Sequence, residues 1–85
     1  MNKKHLEKSF QRVSNLIREH RKAAKLTQRE LSQLAGTGKT AIFDVEHGKT
    51  TVQMDTILKI FQALNIQMQF TSAYLDRKNE ESSRS

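Results

Sequence analysis

Residues 27–49, TQRELSQLAGTGKTAIFDVEHGK, constrain the fold more than any other part of this chain. Thr27-Gln28-Arg29-Glu30 has the pattern of a capping box. The Thr27 hydroxyl accepts the backbone N–H three residues on, and the Glu30 carboxylate accepts the N–H of Thr27. A helix is therefore expected to start at Thr27. Leu26 precedes the cap and is expected to pack on Leu31 as a hydrophobic staple, with Leu34 and Ala35 continuing the buried face. Gly36 takes the left-handed backbone conformation without steric penalty, so this helix should close near Ala35 in a tight turn. Beyond the turn, Ala41, Ile42 and Val45 form an inward stripe, while Lys39, Thr40, Phe43 and Asp44 point away from it. Gly48 ends the second helix.

The flanks supply the walls. Leu6, Phe10, Val13, Ile17, His20 and Ala24 recur at spacings of four, three, four, three and four, which predicts a helix over 6–24. Lys8, Arg12, Arg18 and Lys22 fall off this stripe and are expected in solvent or beside phosphates. His20, with no cysteine and no histidine cluster beside it, should be a packed, hydrogen-bonded histidine and not a metal ligand. After a short loop at Lys49-Thr50-Thr51, the residues Met54, Ile57, Leu58, Phe61 and Leu64 predict a helix over 54–63 that packs on the first two.

The period then changes. Ile66-Gln67-Met68-Gln69-Phe70 alternates between apolar and polar, as a half-buried strand does. One strand cannot satisfy its own backbone, and the sequence offers no second. Pairing with the same segment of another copy would give an antiparallel ribbon across a dyad, with Ile66, Met68 and Phe70 at the dimer interface. The alternative is that the segment finishes the fourth helix and packs back as an extended tail. The expected organisation is a domain over 1–64, a dimerisation segment over 65–75, and a polar tail over 76–85, disordered unless a partner orders it.

Composition narrows the class. The chain has 85 residues, no cysteine, no proline and three glycines, which favours a single domain that is mainly α. The first ten residues lack the apolar run of a signal peptide and no stretch is apolar enough to span a bilayer, so a soluble, cytoplasmic protein without membrane contact is expected. Residues 1–50 carry eleven Lys/Arg against five Asp/Glu, and residues 51–85 carry four of each, so the whole net charge of +6 lies in the first half. That asymmetry points to a polyanionic partner, although basic residues also keep small proteins in solution.

Gly38-Lys39-Thr40 resembles the end of a phosphate-binding loop, but the glycine required five residues before Gly38 is Gln33, and no strand precedes it. No nucleophile–base set or paired carboxylates gather in one predicted cleft. The expectation is a protein that is not an enzyme and needs no cofactor or metal.

From Val13 to Leu64 the chain resembles the helix-turn-helix family of phage Cro and lambda-type repressors, also called the Xre family. Ile17-Arg18, Arg21, Leu26-Thr27-Gln28, Glu30-Leu31, Ala35-Gly36, Ile42, Glu46, Gly48-Lys49 and Ile57-Leu58-Lys59 carry the resemblance. Residues 38–49, followed by 66–70 and a polar tail, are similar in particular to HipB-like antitoxins. The resemblance implies a lambda-repressor-like domain of four to five helices, with the motif at 27–46 and a C-terminal strand that pairs across a homodimer. It places Lys39, Thr40, Phe43 and Asp44 against DNA bases, and Thr27, Gln28, Lys49 and Thr51 against phosphates. Two positions depart from the family: Phe43 stands where many relatives have a polar residue and would meet a thymine methyl or pack at the helix surface, and Asp44 would be repelled by phosphate unless it accepts from a cytosine amino group or pairs with a nearby Lys or Arg. Arg21 and Glu46 become a buried clamp between the first and third helices. The implied function is repression at a palindromic operator in double-stranded DNA, as the antitoxin that binds a HipA-like kinase toxin and autoregulates their operon. Two alternatives stay open: a stand-alone phage or mobile-element repressor, and a protein-interaction module that keeps the fold without binding DNA.

Overall fold

A computed structural model describes residues 2–84 and shows five helices: α1 (Lys3–Ala23), α2 (Gln28–Ala35), α3 (Lys39–Glu46), α4 (Met54–Ala63) and α5 (Ala73–Arg84). Asn2 sets the start of α1 a turn earlier than the apolar stripe suggests, because its side chain accepts the His5 N–H at 2.9 Å. The capping box at α2 forms as expected: Glu30 N–H to Thr27 Oγ1 is 3.0 Å, and Thr27 N–H to Glu30 Oε1 is 2.9 Å. The Thr27 N–H bond and the hydroxyl bond both hold the Glu30 carboxyl below its ordinary pKa.

The first four helices each run out through a residue with positive φ: Lys25 at 59°, Gly36 at 72°, Gly48 at 80° and Asn65 at 57°. At α1, α3 and α4 the closing bonds are the same pair. Leu26 N–H reaches Arg21 C=O at 3.1 Å, Lys49 N–H reaches Asp44 C=O at 3.0 Å, and Ile66 N–H reaches Phe61 C=O at 2.8 Å. Each is joined by a shorter loop from the residue before, which satisfies two otherwise orphaned carbonyls. Glycine and asparagine suit this conformation, whereas Lys25 holds it with a full side chain.

Ile17, Leu31, Ile42, Val45, Ile57, Ile60 and Phe61 form the buried core, with Phe10, Val13, Leu16, Leu26 and Val52 packed around it. The helix α2 packs on α3 and α4, and α1 packs on α3. The central helix pair therefore has its inner side filled and its outer side open.

Several expectations need correction. Leu6 is 48% exposed and Leu34 63% exposed, since the apolar stripes of α1 and α2 run beyond the body they pack on. His20 is exposed, although hydrogen-bonded: its Nδ1 donates to Leu16 C=O at 2.8 Å. No strand occurs among the described residues. Ile66 and Met68 turn onto this chain's own core while Gln67, Gln69 and Phe70 face outward, so in the single chain the alternation is expressed as burial. A single chain offers no neighbouring strand, and no backbone–backbone bond engages 67–71. Where the sequence suggested a tail without structure, α5 runs over Ala73–Arg84, started by the Ser72 hydroxyl accepting the Leu75 N–H at 3.0 Å. None of the described helices is long and apolar enough to cross a membrane.

Candidate nucleic-acid interface

Glu46 sets the position of α3. It is the last residue of that helix, where a carboxylate adds to the negative end of the helix dipole, and only 1% of its side chain is exposed. Such a charge persists only if it is paired. Arg21 of α1 supplies the pair with a two-pronged contact, Nε to Oε2 at 2.6 Å and Nη2 to Oε1 at 2.9 Å, while its Nη1 donates to Leu26 C=O at 2.9 Å. Gln28, the first residue of α2, donates from Nε2 to Oε1 at 3.3 Å. Arg18 donates from Nη2 to the Glu46 carbonyl, and its Nε lies 3.9 Å from Oε1. Burial pushes the Glu46 carboxyl up in pKa, but the bonds from Arg21 and Gln28 outweigh it and hold the group below its ordinary value. The same bond from Glu46, against the opposing cost of burial, raises the Arg21 guanidinium.

One further contact from α1 holds the same helix end. Ser14, fully buried, donates from its hydroxyl to Val45 C=O at 2.6 Å, with Phe10 C=O at 3.1 Å. Both Ser14 and Arg18 escaped the sequence reading. The available signal was spacing: Ser14, Arg18 and Arg21 are separated by four and three residues and so share one helical face.

The outer side of the helix pair presents the residues expected to meet DNA. Lys39 and Thr40, both exposed, lie in the first turn of α3. With Gln28 and Phe43 they line a shallow cleft between the start of α2 and α3. Phe43 is 48% exposed and stacks on His47, with ring centroids 3.8 Å apart and planes 23° apart. Asp44 finds a cation in Lys49, Oδ2 to Nζ at 3.5 Å. Thr27, Lys49 and Thr51 lie outside the cleft, exposed at the cap of α2 and in the loop after α3. Ile66 and Met68 are half-buried on the core, and Phe70 is 76% exposed. Among the described residues no group of His, Cys, Asp or Glu could hold a metal ion.

A capped short helix, a left-handed glycine, a second short helix with its N-terminal face open, and supporting helices on either side match a known arrangement over residues 17–70. The chain belongs to the helix-turn-helix family. That match runs from the middle of α1 through α4 to the segment at 66–70. The chain is also 40% identical, over 52 residues, to a protein of Sinorhizobium fredii described as an uncharacterized HTH-type transcriptional regulator. The shared stretch covers 61% of this chain and 68% of that relative. In helix-turn-helix terms α2 and α3 are the two helices of the motif, and Glu46 at the end of α3 is bonded to both α1 and α2 through Arg21 and Gln28.

Proposed function

We propose that the protein is a sequence-specific, double-stranded DNA-binding repressor. The observation that carries this reading is the open N-terminal face of α3. Lys39, Thr40 and Phe43 share one cleft with Gln28, on a helix whose far end is locked by Glu46. A helix of this size enters the major groove with its N-terminal residues at the base edges. Lys39 suits guanine O6 and N7, and Thr40 can donate or accept. Gln28 keeps part of its amide free for a phosphate, and Thr27, Lys49 and Thr51, exposed at the cap of α2 and in the loop after α3, are the further candidates for the backbone. Asp44, neutralised by Lys49, accepts a cytosine amino hydrogen without the full repulsion of phosphate. Selection of duplexes from a random library, followed by titration at several salt concentrations, tests this. A recovered consensus with affinity falling steeply in salt supports it, and uniform weak binding to all sequences contradicts it.

The protein acts as a homodimer on a palindromic operator, because one recognition helix reads only half a site. The unpaired backbone at 67–71 and the exposed Phe70 support pairing of this segment with its copy. The resemblance of residues 38–49 and 66–70 to HipB-like antitoxins favours a second role, restraint of a HipA-like kinase toxin encoded beside it. The stand-alone repressor is the competing reading. Co-purification of the chain with the product of a neighbouring kinase-like gene supports the antitoxin role. Absence of such a gene, or failure of the two products to associate, contradicts it.

A further inference from the structure

Phe43 is the large apolar side chain on the outward face of α3, in a cleft otherwise walled by Lys39, Thr40 and Gln28. An exposed ring there would ordinarily move among rotamers. It is fixed by His47, whose ring stacks on it at 3.8 Å and is itself anchored by Nδ1 donating to Phe43 C=O at 2.7 Å. The carbonyl can only accept, so Nδ1 carries the hydrogen. Helical side chains lean towards the N-terminus, so the His47 ring covers Phe43 from the C-terminal side. The rest of the Phe43 ring is left toward Lys39 and Thr40. One wall of the cleft is thus an apolar plate of fixed orientation.

We propose that Phe43 reads the 5-methyl group of a pyrimidine in the major groove, and that His47 is the positioning residue for that contact. This rests on the DNA-binding reading above. The pyrimidine C5 position is where the major groove carries an apolar group, and a cleft of donors and acceptors alone would not distinguish thymine from uracil. Thymine and 5-methylcytosine both present this methyl, so methylation of a cytosine at the contacted step would strengthen binding. Removing a buried methyl from water is worth about a fourfold change in affinity per half-site.

The test uses the full chain and the duplex recovered by library selection, resynthesised one position at a time. One set replaces thymine by uracil, and another compares cytosine with 5-methylcytosine. The expected result is a position in each half-site where loss of the methyl weakens binding about fourfold. An effect of uracil alone assigns the contact to thymine, and an effect of 5-methylcytosine alone assigns it to a methylated cytosine. Phe43→Ala should erase the methyl dependence. His47→Ala should bring the ratio close to one, while His47→Phe, which keeps a stacked ring, should retain it. Methyl-independent binding at every position, or an equal loss on both duplexes in Phe43→Ala, overturns the proposal. A ratio unchanged in His47→Ala overturns the positioning role. Recovery of no sequence overturns the DNA-binding reading itself, and this inference with it.

Discussion

Arg21 grips Glu46 through two hydrogen bonds of 2.6 and 2.9 Å, joining the last turn of α1 to the end of α3. Removing one partner leaves the other as an uncompensated charge in a buried place. Arg21→Ala should therefore lower stability by about 3–5 kcal/mol, read from urea unfolding. Replacing both residues with apolar ones of similar size, Arg21→Met with Glu46→Leu, should recover most of that loss. DNA affinity should not recover with it, because Gln28 loses the carboxylate that anchors its amide, while Arg18 keeps only its bond to the residue 46 backbone carbonyl. A double variant that binds as well as the wild type would separate the clamp from function.

The same carboxylate makes stability depend on pH. The folded state holds both Glu46 and Glu30 below the ordinary carboxylate value of 4.5. Their contribution is fully present above that value and is lost as the pH falls through the lower folded pKa. The urea midpoint should hold steady from pH 7 to about 5 and fall below it. Glu46→Gln should flatten this dependence more than Glu30→Gln does, because Glu30 is exposed and solvent screens its bonds. A midpoint that rises on acidification would reverse the assignment.

Ser14 gives a prediction that composition would not suggest. Its hydroxyl reaches Val45 C=O from a fully buried position, so Ser14→Ala leaves that carbonyl short of a donor. The expected cost is about 1–2 kcal/mol in urea unfolding. A neutral substitution would mean that Gly48 N–H, 3.1 Å from the same carbonyl, suffices.

Lys25 offers the opposite sign. It occupies a left-handed position at φ 59° where a glycine would fit without a Cβ penalty. Lys25→Gly should raise stability by about 1 kcal/mol, less the greater entropy of glycine in the unfolded chain. Thermal unfolding at constant pH measures it, and a lower midpoint would contradict the argument.

How far these features can be read from sequence follows their range. The Thr27–Glu30 box, the Gly36 turn and the bounds of α4 are local, and local chemistry specifies them. Arg21 with Glu46 is not local, and the family resemblance supplied it. Ser14 and Arg18 make long-range polar contacts from a helix face that also carries apolar residues, so periodicity placed Arg18 in solvent or beside phosphates and gave no signal for Ser14. Leu6, His20 and Leu34 show the converse failure: a stripe says which face is inward, not how far the neighbouring helices extend. Lys25 gave no turn signal because it is not glycine, and α5 lacks the apolar period that marks a packed helix. The segment at 66–70 carries both signals at once, with Ile66 and Met68 facing the core and a free backbone edge beside them.

That edge bears on the proposed dimer. Truncation at residue 65 would remove Ile66 and Met68 from the core as well as the pairing edge, so loss of dimer there would mix folding with assembly. Phe70→Asp avoids this, since Phe70 is 76% exposed and the substitution sets like charges across the dyad. It should give a folded monomer by sedimentation and circular dichroism. A dimer of unchanged affinity would place the interface elsewhere.

Lys39, exposed in the first turn of α3, is the side chain on which the proposed base reading depends most directly. Titration of the selected operator at fixed salt should show Lys39→Ala weaker by about 1–3 kcal/mol, with relaxed preference at one base position and an unchanged unfolding midpoint. Equal affinity and equal preference in the variant would contradict it.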